Sequence, residues 1–209
     1  MTHLIKIKIC GLTRVEDVKA VVAAGVDAVG FVFAASPRRI SSKAANGLCK
    51  CVPAGVLRVG LFMDQTRSEV TRMVNSVPLD LLQFHGSESR AECNLFDLPY
   101  LKAVVMQDSG SVQAAQQAYP DAMGLLLDGH AVGMRGGSGK VFDWSLAGHA
   151  SKPIWLAGGL NAQNVGAAIR LVRPFAVDVS SAVEQAPGIK DKTRILEFID
   201  AVRNAHLTL

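Results

Sequence analysis

Residues 4–33 read LIKIKICGLTRVEDVKAVVAAGVDAVGFVF and contain one complete strand–helix–strand unit. The isoleucine-rich run Leu4–Cys10 ends at a glycine, and the apolar residues of Arg14–Ala24 then recur with helical spacing. The next run, Ala28–Phe33, holds no polar residue, as is typical of a parallel strand that is buried on both faces. Because two parallel strands need a crossover between them, this stretch predicts a parallel α/β fold.

The same alternation continues to the end of the chain. The predicted strands are Leu4–Cys10, Ala28–Phe33, Leu57–Phe62, Leu79–His85, Tyr100–Val105, Met123–Asp128, Pro153–Ala157 and Phe175–Ser180. The predicted helices are Arg14–Ala24, Ser42–Cys51, Arg67–Asn75, Glu88–Leu95, Ser111–Ala118, Trp144–Ala150, Asn161–Leu171 and Lys190–Asn204. Capping signals favour helix starts at Thr13, Thr66 and Asn161.

Eight such units account for the whole chain. The 209 residues leave about 26 for each unit, enough for a strand, a short helix and two short loops. We therefore predict an α/β fold in which residues 1–209 form a single-domain (β/α)8 TIM barrel with short loops. An open, doubly wound sheet is the alternative architecture.

The composition excludes several classes of protein. With 49% hydrophobic and 19% charged residues, the chain has the composition of a globular protein and not of a disordered one. No apolar run reaches the ~20 residues of a membrane span, which argues against a membrane partner. The first residues lack the long apolar region of a signal peptide, which predicts a cytoplasmic location.

The charge favours small anionic ligands over nucleic acid. The net charge is +4, but the basic residues are scattered and only 6% of the residues are aromatic. A nucleic-acid-binding surface would need a basic stripe with aromatic platforms for stacking, so we expect no nucleic-acid partner. A mildly basic protein still attracts phosphates and carboxylates.

Neither the cysteines nor the glycine-rich segment predicts a metal or nucleotide site. The four cysteines lack the paired spacing of zinc sites, so we expect reduced thiols and no metal. Gly136–Lys140 resembles a nucleotide-binding loop, but Met134 replaces its first glycine and Val141 its magnesium-binding hydroxyl residue. We interpret this segment as a flexible loop over the open end of the barrel.

In a barrel of this kind the chemistry belongs at the carboxyl ends of the strands. Cys10 ends the first strand on the same face as Lys8, which places the thiol at the mouth of the barrel. A nearby cation favours the thiolate, so this position predicts a pKa below the usual value for cysteine. Asp128 ends the sixth strand after three leucines, where desolvation favours the protonated form of a general acid.

Polar and glycine residues at other strand ends predict binding sites for anions. Gly158 and Gly159 follow the seventh strand, and Ser180 and Ser181 follow the eighth, where many barrels hold a phosphate. After the second strand, either Arg38 or Arg39 can form a forked contact with a substrate carboxylate.

Three further residues are assigned to substrate binding, namely Gln83, His85 and Asp178. For His85, a packed histidine at a strand end is an equal alternative. Asp178 should also face inward beside Lys8, because the first and eighth strands are neighbours in a closed barrel. We predict an ion pair between them that joins both ends of the sheet and biases Cys10 toward thiolate.

Several motifs together resemble the phosphoribosylanthranilate isomerase family over essentially the whole chain. They are Lys8–Thr13, Ala28–Phe33, Ser36–Arg38, Gln83–Gly86, Leu126–Asp128, Gly136–Trp144, Ala157–Asn161 and Val177–Ser181. The resemblance implies a barrel that converts N-(5′-phosphoribosyl)anthranilate into 1-(o-carboxyphenylamino)-1-deoxyribulose 5-phosphate by an Amadori rearrangement. It implies Asp128 as general acid, Cys10 as general base and Arg38 as the partner of the anthranilate carboxylate. It also implies no metal and no organic cofactor.

The chain departs from the family pattern at three places. Ala182 replaces a glycine after the paired serines, which would restrict the phosphate loop if that position needed a positive φ. Phe84 replaces a leucine, which we interpret as a packing change on the outward face. The loop between Phe33 and Ser36 is about a residue short, so the choice between Arg38 and Arg39 stays open.

Two other functions are alternatives to this one. Another phosphate-binding barrel, such as indole-3-glycerol phosphate synthase, would need a lysine that acts as a general acid at a strand end. The predicted strand ends offer no such lysine. A protein of a different class would bind a phosphosugar only as a regulator. Since no apolar surface stripe is evident, we expect a monomer.

Overall fold

A computed structural model describes residues 4–129, 142–148 and 150–207, and it forms a closed barrel of eight parallel strands in chain order. The strands are β1 (Lys6–Cys10), β2 (Ala28–Val32), β3 (Leu57–Phe62), β4 (Leu81–Phe84), β5 (Tyr100–Val105), β6 (Gly124–Asp128), β7 (Ile154–Leu156) and β8 (Ala176–Val179). β8 pairs with β1 and sets Lys8 opposite Asp178, which closes the sheet. The predicted TIM barrel is therefore confirmed, and the open sheet is wrong.

Helices cover the outside of the barrel. They are α1 (Val15–Ala23), α2 (Ser42–Cys49), α3 (Arg67–Ser76), α4 (Arg90–Cys93), α5 (Ser111–Ala118), α6 (Val165–Val172) and α7 (Lys192–His206). The predicted helix at Trp144–Ala150 is a 3₁₀ turn over Trp144–Ala147. At α3, Thr66 and Glu69 form the expected capping box. At α1, however, the N-cap position is Arg14, and the Thr13 hydroxyl donates instead to the carbonyl of Gly188 at 2.6 Å.

A short hairpin between β8 and α7 is absent from the predicted elements. It consists of β9 (Glu184–Ala186) and β10 (Ile189–Lys190), which pair antiparallel. Gly188 has φ +81°, the left-handed conformation that the third residue of a type II turn requires, and a proline precedes it. The predicted helix start at Lys190 is therefore wrong. The helix begins two residues later, where the Asp191 side chain accepts from the Arg194 N–H at 3.1 Å.

The core has two layers that follow from the alternation along each strand. Ile5, Ile7 and Ile9 belong to the cluster between the sheet and the helices. The barrel interior is filled by a second apolar cluster, which comprises Ala28, Val59, Leu81, Leu101, Leu126, Trp155, Ala157 and Ala176. Lys8 lies inside and is fully buried, whereas Lys6 remains partly exposed and pairs with Asp27 at 2.9 Å. Apolar packing thus fills the centre of the barrel and leaves the polar chemistry to its carboxyl end.

Phe84 points away from this interior, as expected. It is buried and packs among Phe62, Phe96 and Tyr100, with ring centroids 5.9–6.1 Å apart. The glycine-rich segment Gly136–Lys140, which we expect to lie over the open end of the barrel, falls outside the described residues. Within the described ranges, no helix has the length and apolar character needed to cross a membrane.

Candidate active site

Cys10 ends β1 beside a strand that leaves space for its sulfur. It is buried and lies opposite Gly30 of β2, where an added Cβ would come within 2.6 Å of the Cys10 Sγ. Burial raises the pKa of the Cys10 thiol, and the positive charges of Lys8 and Lys190 offset this only in part. The expectation of a lowered pKa is therefore wrong, because loss of hydration outweighs the attraction to the nearby cations.

The predicted ion pair below the thiol is present. Lys8 Nζ lies 2.7 Å from Asp178 Oδ2, and both side chains are buried. Burial disfavours the Lys8 ammonium, but the combined attraction of Asp178 and Cys10 exceeds that effect and raises the pKa of Lys8. The pair joins β1 to β8 and so connects the first and last strands of the barrel.

Asp128 ends β6 and is held by two residues of the fourth strand–loop unit. His85 Nε2 lies 3.3 Å from Asp128 Oδ2, and His85 Nδ1 lies 3.1 Å from the amide nitrogen of Gln83. Gln83 is only 1% exposed, so its amide lies within the barrel. The three side chains form a chain of contacts that orients the Asp128 carboxyl.

The two predicted phosphate loops lie at the ends of β7 and β8. Gly158 and Gly159 have φ values of +79° and +68°, in the region that favours glycine. The next helix, α6, begins at Val165, and the Asn161 side chain accepts from two N–H groups of the turn that precedes it. The helix therefore begins four residues after the predicted start at Asn161, because the Asn161 side chain stabilises a separate turn.

The second loop is tied to the end of β1. The hydroxyl of Ser180 donates to the carbonyl of Cys10 at 3.0 Å, and Ser181 starts a 3₁₀ turn over Ser181–Val183. Among the described residues, the non-glycine positions with positive φ are Asp64 and Arg173. Ala182 therefore has an ordinary backbone conformation, and its substitution for glycine introduces no strain at this position.

The structure distinguishes Arg38 from Arg39 and shows a partner that was not predicted. Arg39 is exposed, whereas Arg38 is buried and its guanidinium contacts the carboxylate of Glu184 in β9. Lys190 of β10 donates to the same carboxylate and to the carbonyl of Cys10, at 2.8 and 2.7 Å. Sequence reasoning missed Glu184 and Lys190. The Pro187–Gly188 turn signal could have revealed the hairpin that carries them.

A substitution at Gly158 tests how tightly this site is packed. An added Cβ would lie 2.8 Å from Asp128 Oδ1 and 2.7 Å from the Gly129 nitrogen, in a backbone conformation that disfavours alanine. We expect Gly158→Ala to displace the Asp128 carboxyl and to lower kcat by roughly 10²-fold, the loss that a misplacement of about 1 Å produces. Steady-state turnover of purified protein measures this effect.

Gly47→Ala is the matched control. Gly47 lies within α2, and nothing lies within 4 Å of an added Cβ. Alanine there should leave turnover unchanged. It should raise the free energy of unfolding by roughly 0.5–1 kcal/mol, because glycine in a helix interior is less favourable than alanine. Full activity of Gly158→Ala would contradict the close packing of Gly158 against Asp128.

Taken together, these contacts place a carboxyl, a thiol, a buried arginine and two glycine- or serine-containing loops at strand ends of one barrel. No cluster of three or more His, Cys, Asp or Glu side chains suited to a metal ion occurs in the part of the chain that the structure describes. The polar groups of the site suit a small ligand that carries more than one anionic group.

Comparison with known families agrees with this arrangement. The family model described as N-(5′-phosphoribosyl)anthranilate (PRA) isomerase matches residues 7–201. An N-(5′-phosphoribosyl)anthranilate isomerase of Pseudomonas fluorescens is 50% identical over 204 residues, which is 97% of this chain and 97% of that protein. A protein of the same name from Pseudomonas aeruginosa is 48% identical over 96% of both chains.

Solved structures show the same similarity. A phosphoribosyl anthranilate isomerase from Thermotoga maritima superposes with a TM-score of 0.87 at 37% identity, covering 96% of this chain and 99% of that one. Another, with a TM-score of 0.84 at 36% identity and the same coverage, was solved with reduced 1-(o-carboxyphenylamino)-1-deoxyribulose 5-phosphate. A further structure, with the same TM-score, identity and coverage, holds monomers generated from the dimeric Thermotoga enzyme.

Proposed function

The chain belongs to the N-(5′-phosphoribosyl)anthranilate isomerase family, and from that premise we propose which of its residues carry out the reaction. Family membership confirms the resemblance inferred from the motifs. The protein is an aldose–ketose isomerase of tryptophan biosynthesis. The observation that carries the proposal is the placement of Cys10 and Asp128 at strand ends of one closed barrel, with Asp128 held by His85.

Asp128 is the general acid of the first step. Its carboxyl donates a proton to the ring oxygen of the ribose, and the bond from that oxygen to C1′ breaks. The lone pair of the anthranilate nitrogen forms a double bond to C1′, which gives a Schiff base. The contact with His85 supports this role, because it fixes the carboxyl in one orientation while the ring opens.

Cys10 is the general base of the second step. Its thiolate removes the proton from C2′, and that electron pair forms a C1′–C2′ double bond while the Schiff-base electrons return to nitrogen. The resulting enolamine takes a proton at C1′ and loses the proton of its C2′ hydroxyl, which yields the ketone. C2′ is oxidised as C1′ is reduced, so the chemistry balances without an external oxidant or reductant.

The other candidate residues hold the substrate. The positive-φ glycines Gly158 and Gly159 and the backbone N–H groups of Ser180 and Ser181 bind the phosphate, since backbone N–H groups without side chains nearby can approach an anion closely. Arg38, which is buried beside the site, binds the anthranilate carboxylate. Asp178, whose side chain lies beside Lys8 at the inner face of β8, is the proposed contact for a ribose hydroxyl. His85 contacts the substrate beside Asp128, and Gln83 takes part by orienting His85.

We also propose that residues 1–209 work as one barrel domain, as a monomer in the cytoplasm. The continuous ring of eight strands supports a single domain. The substrate of the family is a small molecule, and the proposal includes neither a cofactor nor a nucleic-acid or membrane partner.

Rescue of a tryptophan auxotroph that lacks only this isomerisation tests the proposed function. Expression of the chain should restore growth without tryptophan, and the purified protein should consume fluorescent N-(5′-phosphoribosyl)anthranilate. If purified protein bound the substrate without converting it, and growth failed while folded protein was present, the regulatory alternative would replace the proposed function.

A further inference from the structure

The hairpin between β8 and α7 holds the guanidinium of Arg38 in a fixed orientation. Arg38 Nε donates to both carboxylate oxygens of Glu184, at 2.9 and 3.1 Å, and Nη2 donates to Oε2 at 2.6 Å. Contacts from two donor nitrogens on one side of a planar group fix both its position and its plane. Nη1 makes no hydrogen bond to any described residue, so the guanidinium keeps a donor that none of them uses.

The carboxylate of Glu184 is shared with a second cation. Lys190 Nζ lies 2.8 Å from Oε1, and the Gly188 N–H donates to the same oxygen at 3.3 Å. Burial alone would raise the pKa of Glu184, but Arg38 and Lys190 outweigh it and hold that pKa below the usual range. Glu184 therefore keeps its negative charge and makes charge-assisted hydrogen bonds to the Arg38 guanidinium, whereas burial lowers the pKa of Lys190.

Contacts on every side keep the hairpin in place. The Lys190 N–H donates to Asp17 of α1 at 3.1 Å, and Lys190 Nζ donates to the carbonyls of Cys10 and Ser180 at 2.7 and 3.0 Å. The tip is held where Thr13 donates to the carbonyl of Gly188. Glu184 therefore sits on a support that is anchored to the strand end that carries the thiol.

The side chain of Arg38 passes directly over the backbone next to that thiol. An added Cβ at Gly11 would lie 2.5 Å from Arg38 Cδ and 3.0 Å from Ser180 Oγ. The arginine is thus packed between the end of β1 and the loop after β8. A shift of its guanidinium would move the ligand carboxylate relative to Cys10.

We propose that Glu184, supported by Lys190, is a positioning residue that holds Arg38 ready for the aryl carboxylate of the substrate. This inference rests on the proposed function, in which Arg38 binds that carboxylate. An arginine that is already oriented loses less conformational freedom when the ligand binds, so its contact with the ligand is stronger. Glu184 thus contributes to selectivity for a carboxylated aryl group without touching it.

Two stable ligands that differ by one carboxylate test the proposal. Reductive amination of ribose 5-phosphate with anthranilate or with aniline gives a carboxylated and an uncarboxylated N-aryl ribitylamine phosphate. Titration calorimetry measures the preference of each variant for the carboxylated ligand, as the ratio of the two dissociation constants. We expect Glu184→Gln to reduce this preference by about tenfold, because a neutral amide holds the guanidinium less tightly than a carboxylate does.

The comparison variants separate positioning from a merely structural role. Arg38→Met should abolish the preference, and Arg38→Met with Glu184→Gln should match Arg38→Met alone, because Glu184 acts through Arg38. Glu92→Gln, which changes an exposed capping residue of α4, should leave the preference unchanged. Glu184→Asp keeps the charge and should recover part of the preference, and it carries the same test if Glu184→Gln does not fold.

Each contrary result has a distinct meaning. Equal weakening of both ligands by Glu184→Gln, with the preference intact, would overturn the positioning role and leave the role of Arg38 standing. A preference that survives Arg38→Met would overturn the proposed contact between Arg38 and the substrate carboxylate itself.

Discussion

Replacement of Asp128 by asparagine should lower kcat by roughly 10²–10⁴-fold, the contribution of a well-placed general acid. The amide has nearly the same shape as the carboxyl and can still contact His85, but it cannot deliver a proton to the ribose ring oxygen. The first step, opening of the ring, would then depend on protonation by water. Binding of the carboxylated ribitylamine phosphate should change little, because the ligand has no ring to open.

Steady-state fluorescence of the anthranilate group measures this loss, and calorimetry measures binding by the same protein. Asp121→Asn is the matched control, since Asp121 is an exposed partner of Arg90 on the outside of the barrel and should leave kcat unchanged. Wild-type turnover by a correctly folded Asp128→Asn protein would rule out Asp128 as the acid.

Cys10→Ala should have an effect of the same size, a loss of roughly 10²–10⁴-fold in kcat, because no base would remain at the end of β1 to take the C2′ proton. The space beside Gly30 tolerates the smaller side chain, so the protein should fold. Cys51→Ala serves as the control, because Cys51 is a partly exposed thiol just after α2. Retention of wild-type turnover by Cys10→Ala would end the proposed role of the thiol.

The pH dependence provides a second test of Cys10. The proposed reaction needs a protonated Asp128 and a deprotonated Cys10, so kcat/KM of the wild type should pass through a maximum with pH. Because burial raises the pKa of Cys10, the thiol should set the alkaline limb, centred above the usual cysteine value. Cys10→Ser should lose this limb, since a serine hydroxyl does not ionise in that range. An unchanged pH profile in Cys10→Ser would assign the titration to another group.

The raised pKa of Cys10 bears on the role of the Lys8–Asp178 ion pair. The sequence predicts that the pair biases Cys10 toward thiolate, yet Asp178 itself opposes ionisation of the thiol while Lys8 favours it. The pair therefore brings little net positive charge to Cys10. Its clearest effect is to satisfy a buried lysine, because removing one partner would leave an uncompensated charge inside the barrel.

Most of the barrel could be predicted from local patterns. All eight strands lie within the predicted runs, although their ends are shorter by up to two residues, as at Leu4 and Leu79. Thr66 caps α3 as expected because a capping box needs only residues three positions apart. Thr13 does not cap α1, because Arg14 occupies the N-cap position, and its hydroxyl donates instead to Gly188, 175 residues away.

The sequence by itself determined where the strands lie along the chain, and therefore which residues end them. Consecutive parallel strands are joined by crossovers, so all the strands point the same way and their carboxyl ends lie at one end of the barrel. The hydrophobic periodicity alone therefore predicts that this end carries Cys10, Asp128, Gly158 and Ser180. The pairing of Lys8 with Asp178 also followed, since ring closure makes the first and last strands neighbours. These conclusions need only short-range pattern and topology.

Only the tertiary structure decided which groups surround the reacting residues. The contact between Arg38 and Glu184 joins positions 146 residues apart, and Lys190 reaches the Cys10 carbonyl across 180 residues. No periodicity encodes such contacts, because they depend on how a loop crosses the mouth of the closed barrel. The pKa of Cys10 was likewise decided by burial, which is a property of the packed molecule and not of the residues beside it in sequence.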